Sequence, residues 1–356
     1  MTRLALVMIV RDEARCLARC LESVRPHVDK MIVLDTGSTD DTVQIAERCG
    51  AIVHHYTWTD DFAAARNVAL GHSDADWNLV LDADDWLVGD PAALGSRTLP
   101  PADVTPPRFV GCVKITNQGT ASDAVARKFI PRILPRGVRY EGKIHEQPVS
   151  SLPLVVLPLQ LHHDGYEEAQ LHRKAGRNEA LLRSELEANP GDSYLWYQLG
   201  REQLVRGHAS AAADSLMIAH RASEPGAPFR HGIVLSAMQA LKQAERFPEA
   251  LSLADAEHRN WPGSPDFFFA VADLYLEWAG RNPAIAMDEL LPVVEGAWKR
   301  CLQIGERPDL DGSVEGCGSY LAAGNLAMFY EKLGIADEAE RYAKEEAEMR
   351  ARYAAA

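Results

Sequence analysis

The 356-residue sequence lacks several patterns that would place it in a common class of protein. Its six cysteines form no CxxC pair and no dense cluster, so neither a zinc site nor a disulfide framework is indicated. The apolar run LALVMIV near the start is too short for a transmembrane span, and RDE follows it where a signal peptide would have small residues. We therefore interpret this run as a strand and expect a cytoplasmic protein.

Positive charge is also scarce. The chain has 37 Lys and Arg residues against 51 Asp and Glu residues, which gives a formal net charge of −14. This balance argues against a nucleic-acid partner or an anionic membrane surface. No GxGxxG motif follows the first predicted strand, so dinucleotide binding is not indicated. That strand ends in VRDEA and does not carry the paired aspartates of haloacid-dehalogenase phosphatases, so this class is rejected as well.

Apolar runs of strand length alternate with helical patterns through the first 90 residues. The predicted strands are RLALVMIV, MIVLD, AIVHHY and WNLVLD, and the segments between them have the apolar spacing of helices. This alternation is typical of a doubly wound α/β fold with a mostly parallel sheet. Ligands bind such sheets beyond the carboxyl ends of the strands. Acidic residues lie at three of these ends, in the segments 12–13, 35–41 and 82–85.

The pattern changes after residue 86. Five prolines in residues 90–107 predict an irregular connection, and RFVGCVKI, VARKFIPRIL, VRYEGKIHEQPV and LPLQLHHDGY predict a more antiparallel region. From about residue 170 the sequence is helical, and LWYQLGREQLVRGHASAAADSLMIAHRASEP has nearly tetratricopeptide spacing, with partial copies further on. A plain helical bundle is the alternative. We predict an α/β domain over residues 1–168 and an all-α domain over residues 169–356.

The segment WNLVLDADDWL raises a specific question, because a buried strand ends on three carboxylates. Carboxylates that lie close together repel one another and are costly to dehydrate. Either they are solvated at the strand end or a cation binds there. Mg²⁺ and Mn²⁺ prefer oxygen ligands and bridge diphosphates well, so Asp82 and Asp84 suit such an ion. Asp85 is interpreted as a solvated neighbour.

Several motifs, taken in order, resemble the family 2 glycosyltransferases of GT-A fold. They are VMIVRDEARCLARCLESV, MIVLDTGSTDDTVQIA, DFAAARNVAL and LVLDADD. YEGKIHEQPV, LHHDGY and KAGRN further resemble the branch that joins this fold to tetratricopeptide helices. That branch includes bacteriocin S-glycosyltransferases and some bacterial lipopolysaccharide-core and flagellin glycosyltransferases. The resemblance implies an inverting transfer from a nucleotide-sugar, with a UDP-sugar favoured, and it leaves a homodimer open.

The resemblance also implies a metal site with Mn²⁺ or Mg²⁺. Asp84 matches the direct ligand of the family's DXD motif, and Asp82 matches its donor-binding partner. His163 matches the histidine that closes the metal site in many GT-A enzymes, although a structural role is equally open. His162 is the weaker candidate, since neighbouring residues of a strand point to opposite faces.

Further residues correspond to donor-binding positions of the family. Asp12, Glu13 and Asp35 are candidates for contacts with the base or ribose. Asp12 stands where the family often has Asn, and Thr36 replaces a second Asp, which leaves the identity of the base open. Arg66 in AARN is expected to reach the nucleotide, with a helix-surface charge as the alternative. Asp40 and Asp41, with Ser38, are interpreted as capping the next helix.

The catalytic candidates lie in GKIHEQP. An inverting displacement needs one carboxylate near the acceptor as a general base, and Glu146 is the expected base, with His145 assisting. A plain strand-end charge is the alternative for Glu146. Lys174 and Arg177 match the family's K..RN pattern and are expected to pair with the leaving phosphates, unless they form a solvated helix face.

The acceptor is predicted from the second half of the chain. Tetratricopeptide helices stack into a curved surface that suits an extended partner, so a peptide or protein acceptor is expected. The alternatives are a lipopolysaccharide-core or other glycan acceptor, and a non-catalytic scaffold that keeps an inactive sugar-nucleotide fold.

Overall fold

A computed structural model of the protein describes residues 3–95, 98–100, 108–117, 127–163 and 168–354. The chain divides into two compact units, a sheet unit that ends at Leu181 and a helical unit that begins at Leu182. The division falls inside the helix Glu168–Ala188, 13 residues after the predicted boundary between residues 168 and 169. The expected fold class, an α/β domain followed by an all-α domain, is confirmed.

The sheet unit is built on one eight-stranded sheet with the order β3-β2-β1-β4-β7-β6-β10-β5, next to a hairpin of β8 and β9. The pairs β3–β2, β2–β1, β1–β4 and β6–β10 are parallel, and β4–β7, β7–β6 and β10–β5 are antiparallel. The strands are β1 Leu4–Val10, β2 Lys30–Asp35, β3 Ile52–His55, β4 Trp77–Val80, β5 Asp85–Val88, β6 Val110–Asn117, β7 Arg127–Pro135, β8 Arg139–Glu141, β9 Gln147–Val149 and β10 Leu154–His163. The helices are α1 Leu17–Val24, α2 Thr42–Arg48, α3 Phe62–Gly71 and α4 Glu168–Ala188, with short 3₁₀ turns at Arg25–His27 and Pro91–Leu94.

The continuous apolar sequence of β1 is explained by burial on both faces. Leu4, Leu6 and Met8 belong to the core cluster that includes α1, whereas Ala5 and Val7 belong to the cluster that includes α3. Side chains of a strand alternate between faces, so a strand between two helical layers must be apolar at every position. Because both faces of β1 are buried, polar residues follow only where the strand ends, at its carboxyl end.

A tight reversal after β4 positions the acidic segment. The backbone N–H of Asp85 donates to the carbonyl of Asp82 at 3.1 Å, and the chain then runs back as β5, antiparallel to β10. In that register Asp85 is directly opposite His163. The predicted strand WNLVLD ended at Asp82, two residues beyond the end of β4, and a separate strand at Asp85–Val88 was not predicted.

The helical unit consists of paired antiparallel helices. The pairs are α5 with α6, α7 with α8, α9 with α11 and α12 with α13. Gly200 of the first pair permits close packing, since a β-carbon there would lie 2.4 Å from Cγ of Leu216. The helices are α5 Ser193–Val205, α6 Ala209–Ala222, α7 Arg230–Gln243, α8 Phe247–Glu257, α9 Pro265–Arg281, α10 Pro283–Ile285, α11 Leu291–Ile304, α12 Tyr320–Lys332 and α13 Ala336–Ala354, with one π turn at Ala286–Leu290.

Helix pairs of this kind are what the tetratricopeptide spacing predicted. The best sequence copy spans α5 and α6, and the two partial copies fall on α7–α8 and α12–α13. The third pair departs from the pattern, because α10 and the π turn stand between α9 and α11. No helix among the described residues has both the length and the apolar character needed to cross a membrane.

Candidate active site

The acidic segment after β4 holds its three carboxylates at different depths. The side chain of Asp82 is 35% exposed, that of Asp84 is 6% exposed and that of Asp85 is fully buried. Asp85 Oδ2 also accepts a hydrogen bond from the backbone N–H of Asp82 at 3.1 Å, which closes the turn from both sides. The interpretation of Asp85 as a solvated neighbour was therefore wrong: it is the most buried carboxylate of the three.

Arg66 connects this turn to the proposed general base. It lies on α3, is 8% exposed, and its Nη2 donates to Asp82 Oδ1 at 2.7 Å. Its Nε donates to Oε1 of Glu146. Burial by itself favours the uncharged form of Arg66, but the carboxylates of Asp82 and Glu146 outweigh this and hold its pKa well above the usual value. The alternative of a solvated helix-surface charge is excluded by this burial.

His163 lies beside the two deeper carboxylates. Its Nδ1 is 2.9 Å from Asp85 Oδ1 and 3.6 Å from Asp84 Oδ1. Burial lowers the pKa of His163, but the hydrogen bond to Asp85 and the charge of Asp84 prevail and raise it. Asp84, Asp85 and His163 each offer one ligand atom, and these atoms lie within 4.8 Å of one another. Two carboxylates and an imidazole are a donor set that can hold a divalent metal ion.

Arg132 was missed by the sequence analysis. It lies on β7, is 8% exposed, and its Nη2 is 2.6 Å from Asp82 Oδ2 and 2.9 Å from Asp85 Oδ2. Burial opposes ionisation of Asp82, yet Arg132 and Arg66 together hold the pKa of that carboxyl well below its usual range. The only signal in the sequence is one charged residue inside the apolar run KFIPRIL.

Arg66, Asp82, Asp84, Glu146 and His163 line one cavity of about 330 Å³. Its wall combines the acidic turn with an apolar side and several further polar groups. The lining residues are Ile9, Val10, Arg11, Glu13, Thr36, Trp58, Phe62, Arg66, Asp82, Ala83, Asp84, Ile144, His145, Glu146, His163, Arg177 and Asn178. Eight of the predicted site residues are therefore brought together, namely Glu13, Arg66, Asp82, Asp84, His145, Glu146, His163 and Arg177.

Asp12 and Asp35 occupy the neighbouring loops and are not among the residues that line the cavity. Asp12 is exposed, with a φ of 53°, and its Oδ1 accepts from the backbone N–H of Thr39 at 2.7 Å. Asp35 accepts from the backbone N–H groups of Gly37 and Ser38 at 3.3 and 3.0 Å. Both carboxylates stabilise the loop after β2 by accepting hydrogen bonds from its backbone. Their contact with a nucleotide-sugar remains a prediction.

The remaining candidates lie around the hairpin and on α4. His145 has a φ of 52°, an uncommon backbone conformation for a residue with a side chain, in the turn that leads to Glu146. The guanidinium of Arg177 lies 5.1 Å from the centre of the Phe62 ring, within the range of a cation–π contact. The side chain of Lys174 lies outside the described part of the chain, and so do residues 164–167 of the HHDGY motif.

Comparison with known proteins gives a family match in the first part of the chain. Residues 5–94 match the family model described as Glycosyl transferase family 2. A TPR repeat-containing protein of Synechococcus elongatus is 35% identical over 231 residues, which cover 60% of this chain and 55% of that protein. The SPbeta prophage-derived glycosyltransferase SunS of Bacillus subtilis is 29% identical over 222 residues, covering 59% of this chain and 51% of SunS. The chain thus spans about half the length of these relatives.

Solved structures show weaker likenesses. A crystal structure of MamA is 16% identical and covers 53% of this chain and 98% of its own, with a TM-score of 0.40. Glucosyl-3-phosphoglycerate synthase from Mycobacterium tuberculosis, solved with Mn²⁺ and UDP, is 24% identical, with a TM-score of 0.26. It covers 33% of this chain and 45% of its own. The matched segment, residues 5–94, contains β1 to β5 and the acidic turn, so the likeness to family 2 glycosyltransferases includes the part of the chain that carries the acidic turn.

Proposed function

We propose that the protein is an inverting, metal-dependent glycosyltransferase that moves a sugar from a UDP-sugar to a side chain of a peptide or protein. One observation supports this most directly. Arg66, Asp82, Asp84, Glu146 and His163 converge on a single cavity at the carboxyl end of β4 in the sheet unit. Such a strand end is where ligands bind in open α/β sheets.

The metal ion would be held by Asp84 and His163. Asp85 supports them, because its Oδ1 bonds to His163 Nδ1 and fixes the orientation of the imidazole ring. When bound, a divalent cation neutralises negative charge on the diphosphate leaving group.

Arg66 would bind a phosphate group of the nucleotide-sugar. Its Nη1 is buried and has no hydrogen-bond partner among the described residues, although its Nε and Nη2 are both paired. A buried donor without a partner is costly, and a phosphate oxygen in the cavity would satisfy it.

Glu146 would act as the general base. It takes the proton from the acceptor oxygen or sulfur, the acceptor atom bonds to the anomeric carbon of the sugar, and the bond from that carbon to the diphosphate breaks. Arg66 holds one carboxylate oxygen, Oε1, and so orients the group. The side chain of Glu146 is only 11% exposed, which limits competition by water.

The proposal of a peptide or protein acceptor is based on the helix pairs of the helical unit. Stacked helix pairs present an extended surface that suits a polypeptide more than a small molecule. The resemblance to the bacteriocin glycosyltransferase branch supports the same class of acceptor. A cytoplasmic location is part of the proposal, supported by six cysteines that are all buried free thiols.

Two variants test the proposal. Asp84→Asn removes one anionic ligand, and we expect Mn²⁺-dependent binding of a UDP-sugar, measured by calorimetry, to fall strongly while the fold is retained. Glu146→Gln should keep donor binding but lower turnover roughly 10²-fold, as expected for the loss of a general base. Glu141→Gln, an exposed change on β8, is the control.

Unchanged donor binding in Asp84→Asn would refute the metal site. Turnover near wild type in Glu146→Gln would place the base elsewhere. A wild-type protein that neither binds nor hydrolyses any nucleotide-sugar with Mn²⁺ would favour the non-catalytic scaffold.

A further inference from the structure

Arg132 lies behind the acidic turn and does not reach the cavity. It is on β7, between β4 and β6, and it is not among the residues that line the cavity. A single nitrogen, Nη2, contacts Asp82 Oδ2 and Asp85 Oδ2. Within the described part of the chain, the hydrogen bonds of Arg132 therefore reach the site through these two carboxylates.

The two carboxylates need this partner because of their depth. Asp85 is fully buried, and an ionised carboxylate at that depth is costly unless it is paired and hydrogen-bonded. Asp82, Asp84, Asp85 and Glu146 carry four formal negative charges, and Arg66 and Arg132 carry two positive ones. This group of side chains therefore keeps an excess of negative charge, which favours a bound cation.

Asp85 passes the effect of Arg132 on to His163. Asp85 Oδ2 is occupied by Arg132 and by the backbone N–H of Asp82, while Oδ1 contacts His163 Nδ1. A carboxylate only accepts hydrogen bonds, so Nδ1 carries the proton and the lone pair of the neutral ring lies on Nε2. That is the arrangement in which an imidazole ligates a metal ion while a carboxylate orients it.

We propose that Arg132 is a positioning residue: it clamps Asp82 and Asp85 so that the turn presents Asp84 and His163 to a divalent cation. This inference rests on the metal site of the proposed function. A positioning role and a simple charge effect predict opposite changes in Mn²⁺ affinity when Arg132 is removed. Removing a buried cation strengthens the Coulombic attraction for Mn²⁺, whereas releasing the clamp misplaces the ligands and weakens binding.

The test measures binding of Mn²⁺ alone, from the loss of the electron paramagnetic resonance signal of the free ion. We expect Arg132→Met to weaken Mn²⁺ binding roughly tenfold or more, in line with the loss of supporting contacts around metal ligands. Arg132→Lys, which keeps one positive nitrogen, should restore much of that loss. Ile133→Ala, which truncates the fully buried neighbour on β7, is the control for destabilisation without loss of the clamp.

If Arg132→Met alone does not fold, the double variant Asp85→Asn with Arg132→Met replaces it. In the double variant the buried charge at position 85 is removed together with its partner. We expect the double variant to bind Mn²⁺ more weakly than wild type and only slightly more weakly than Asp85→Asn alone, since both residues act largely through one chain of contacts.

Equal or tighter Mn²⁺ binding in Arg132→Met, or in the double variant if Arg132→Met does not fold, overturns the positioning role and leaves Arg132 as a counter-charge. Weakening of the same size in Ile133→Ala overturns it too, because the effect would then be general. In both cases a wild type that binds Mn²⁺, with Asp84→Asn as the non-binding reference, leaves the proposed function intact. No Mn²⁺ binding by the wild type overturns the metal site and this inference together.

Discussion

Asp266, the second residue of α9, is a buried carboxyl group with few polar contacts. It is 5% exposed, and its Oδ1 accepts from the backbone N–H of Val314 at 2.6 Å. Burial raises its pKa to about 6 from an ordinary value of 3.8. Below pH 3.8 the group is protonated in both folded and unfolded chains. Between the two values only the unfolded chain loses the proton, so stability is lost as the pH rises through about 6.

We predict that Asp266→Asn stabilises the helical unit at neutral pH. The amide keeps an oxygen for the Val314 N–H and carries no charge, so the gain should reach about 2–3 kcal/mol near pH 7 and vanish near pH 4. Urea unfolding followed by circular dichroism at both pH values measures it. A loss of stability at neutral pH would contradict the assigned cost of the ionised carboxylate.

Glu257, which also belongs to the helical unit, makes stability depend on pH in the opposite direction. Burial raises its pKa, but hydrogen bonds from His220, Asn260 and Arg230 dominate and lower it to about 2. Its contribution to stability is therefore present above the ordinary value of 4.5 and is lost as the pH falls through about 2. Glu257→Gln should thus destabilise the protein most near neutral pH, by about 3 kcal/mol, because Arg230 loses its buried partner.

For individual residues, the sequence was sufficient where a motif places the side chain at the end of a strand. Asp82, Asp84 and Glu146 were found because motifs put them there, and they do share one cavity. Arg132 was not found because its role depends on β7 inserting beside β4, and the burial of Asp85 was not found because β5 pairs with β10; these pairings join segments about 55 and 78 residues apart. Local apolar patterns specify strands, but they do not specify which distant strand becomes the neighbour.

Among the elements, the loop Gly305–Gly318 between α11 and α12 is closed at its base. A β-carbon on Gly318 would lie 2.2 Å from the carbonyl oxygen of Gly305, so the two ends of the loop touch through their backbones. The loop reaches the first helices of other pairs, since Tyr197 donates to Asp311 Oδ2 at 3.3 Å and His231 Nδ1 is 2.6 Å from the Asp311 carbonyl. Compact loops of this length with adjacent ends are Ω-loops.

We predict that Gly318→Ala destabilises the helical unit by about 1–3 kcal/mol, because the methyl group collides with backbone that cannot rotate away. Thermal unfolding measures the effect. The matched control is Gly296→Ala, an exposed position on α11 where a β-carbon meets nothing within 4 Å. It should be neutral or stabilise by about 0.5–1 kcal/mol, since alanine favours helix. Equal effects of the two changes would mean that the base of the loop is not tight.

The elements themselves were largely predictable where the apolar period was unambiguous. Strands β1, β2 and β4 and the helices of the best repeat copy fall where the pattern put them. The segment VRYEGKIHEQPV was predicted as strand, and it is a hairpin of β8 and β9 whose turn brings Glu146 to the cavity. The turn depends on φ values of 92° at Gly142 and 52° at His145, and the latter has no sequence signature.

For the molecule as a whole, the excess of negative charge bears on the acceptor. A formal net charge of −14 favours a basic segment over an acidic one. On the first helices of two neighbouring pairs, Lys242 of α7 contacts Asp273 and Glu277 of α9. The two acidic side chains are 52% and 43% exposed although both contact Lys242, and Glu277 also lies 3.7 Å from Arg281, so a basic partner would compete with these contacts.

We predict that the double variant Asp273→Asn with Glu277→Gln raises the KM for a basic peptide acceptor about threefold or more, with donor hydrolysis unchanged. The reason is that exposed charges at an interface steer association and make it depend on salt. Steady-state kinetics at about 50 and 300 mM salt measure both effects, and the variant should show the weaker salt dependence.

The control carries the same change in charge at another place. Glu338→Gln with Glu348→Gln alters exposed residues of α13, the second helix of its pair, whose side chains are 35% and 55% exposed. It should leave the acceptor KM near wild type if the first helices bind the peptide, since net charge is then identical and only position differs. Equal increases in KM for both double variants would assign the effect to net charge alone. No change in either, together with efficient transfer to a purified glycan, would refute the peptide acceptor.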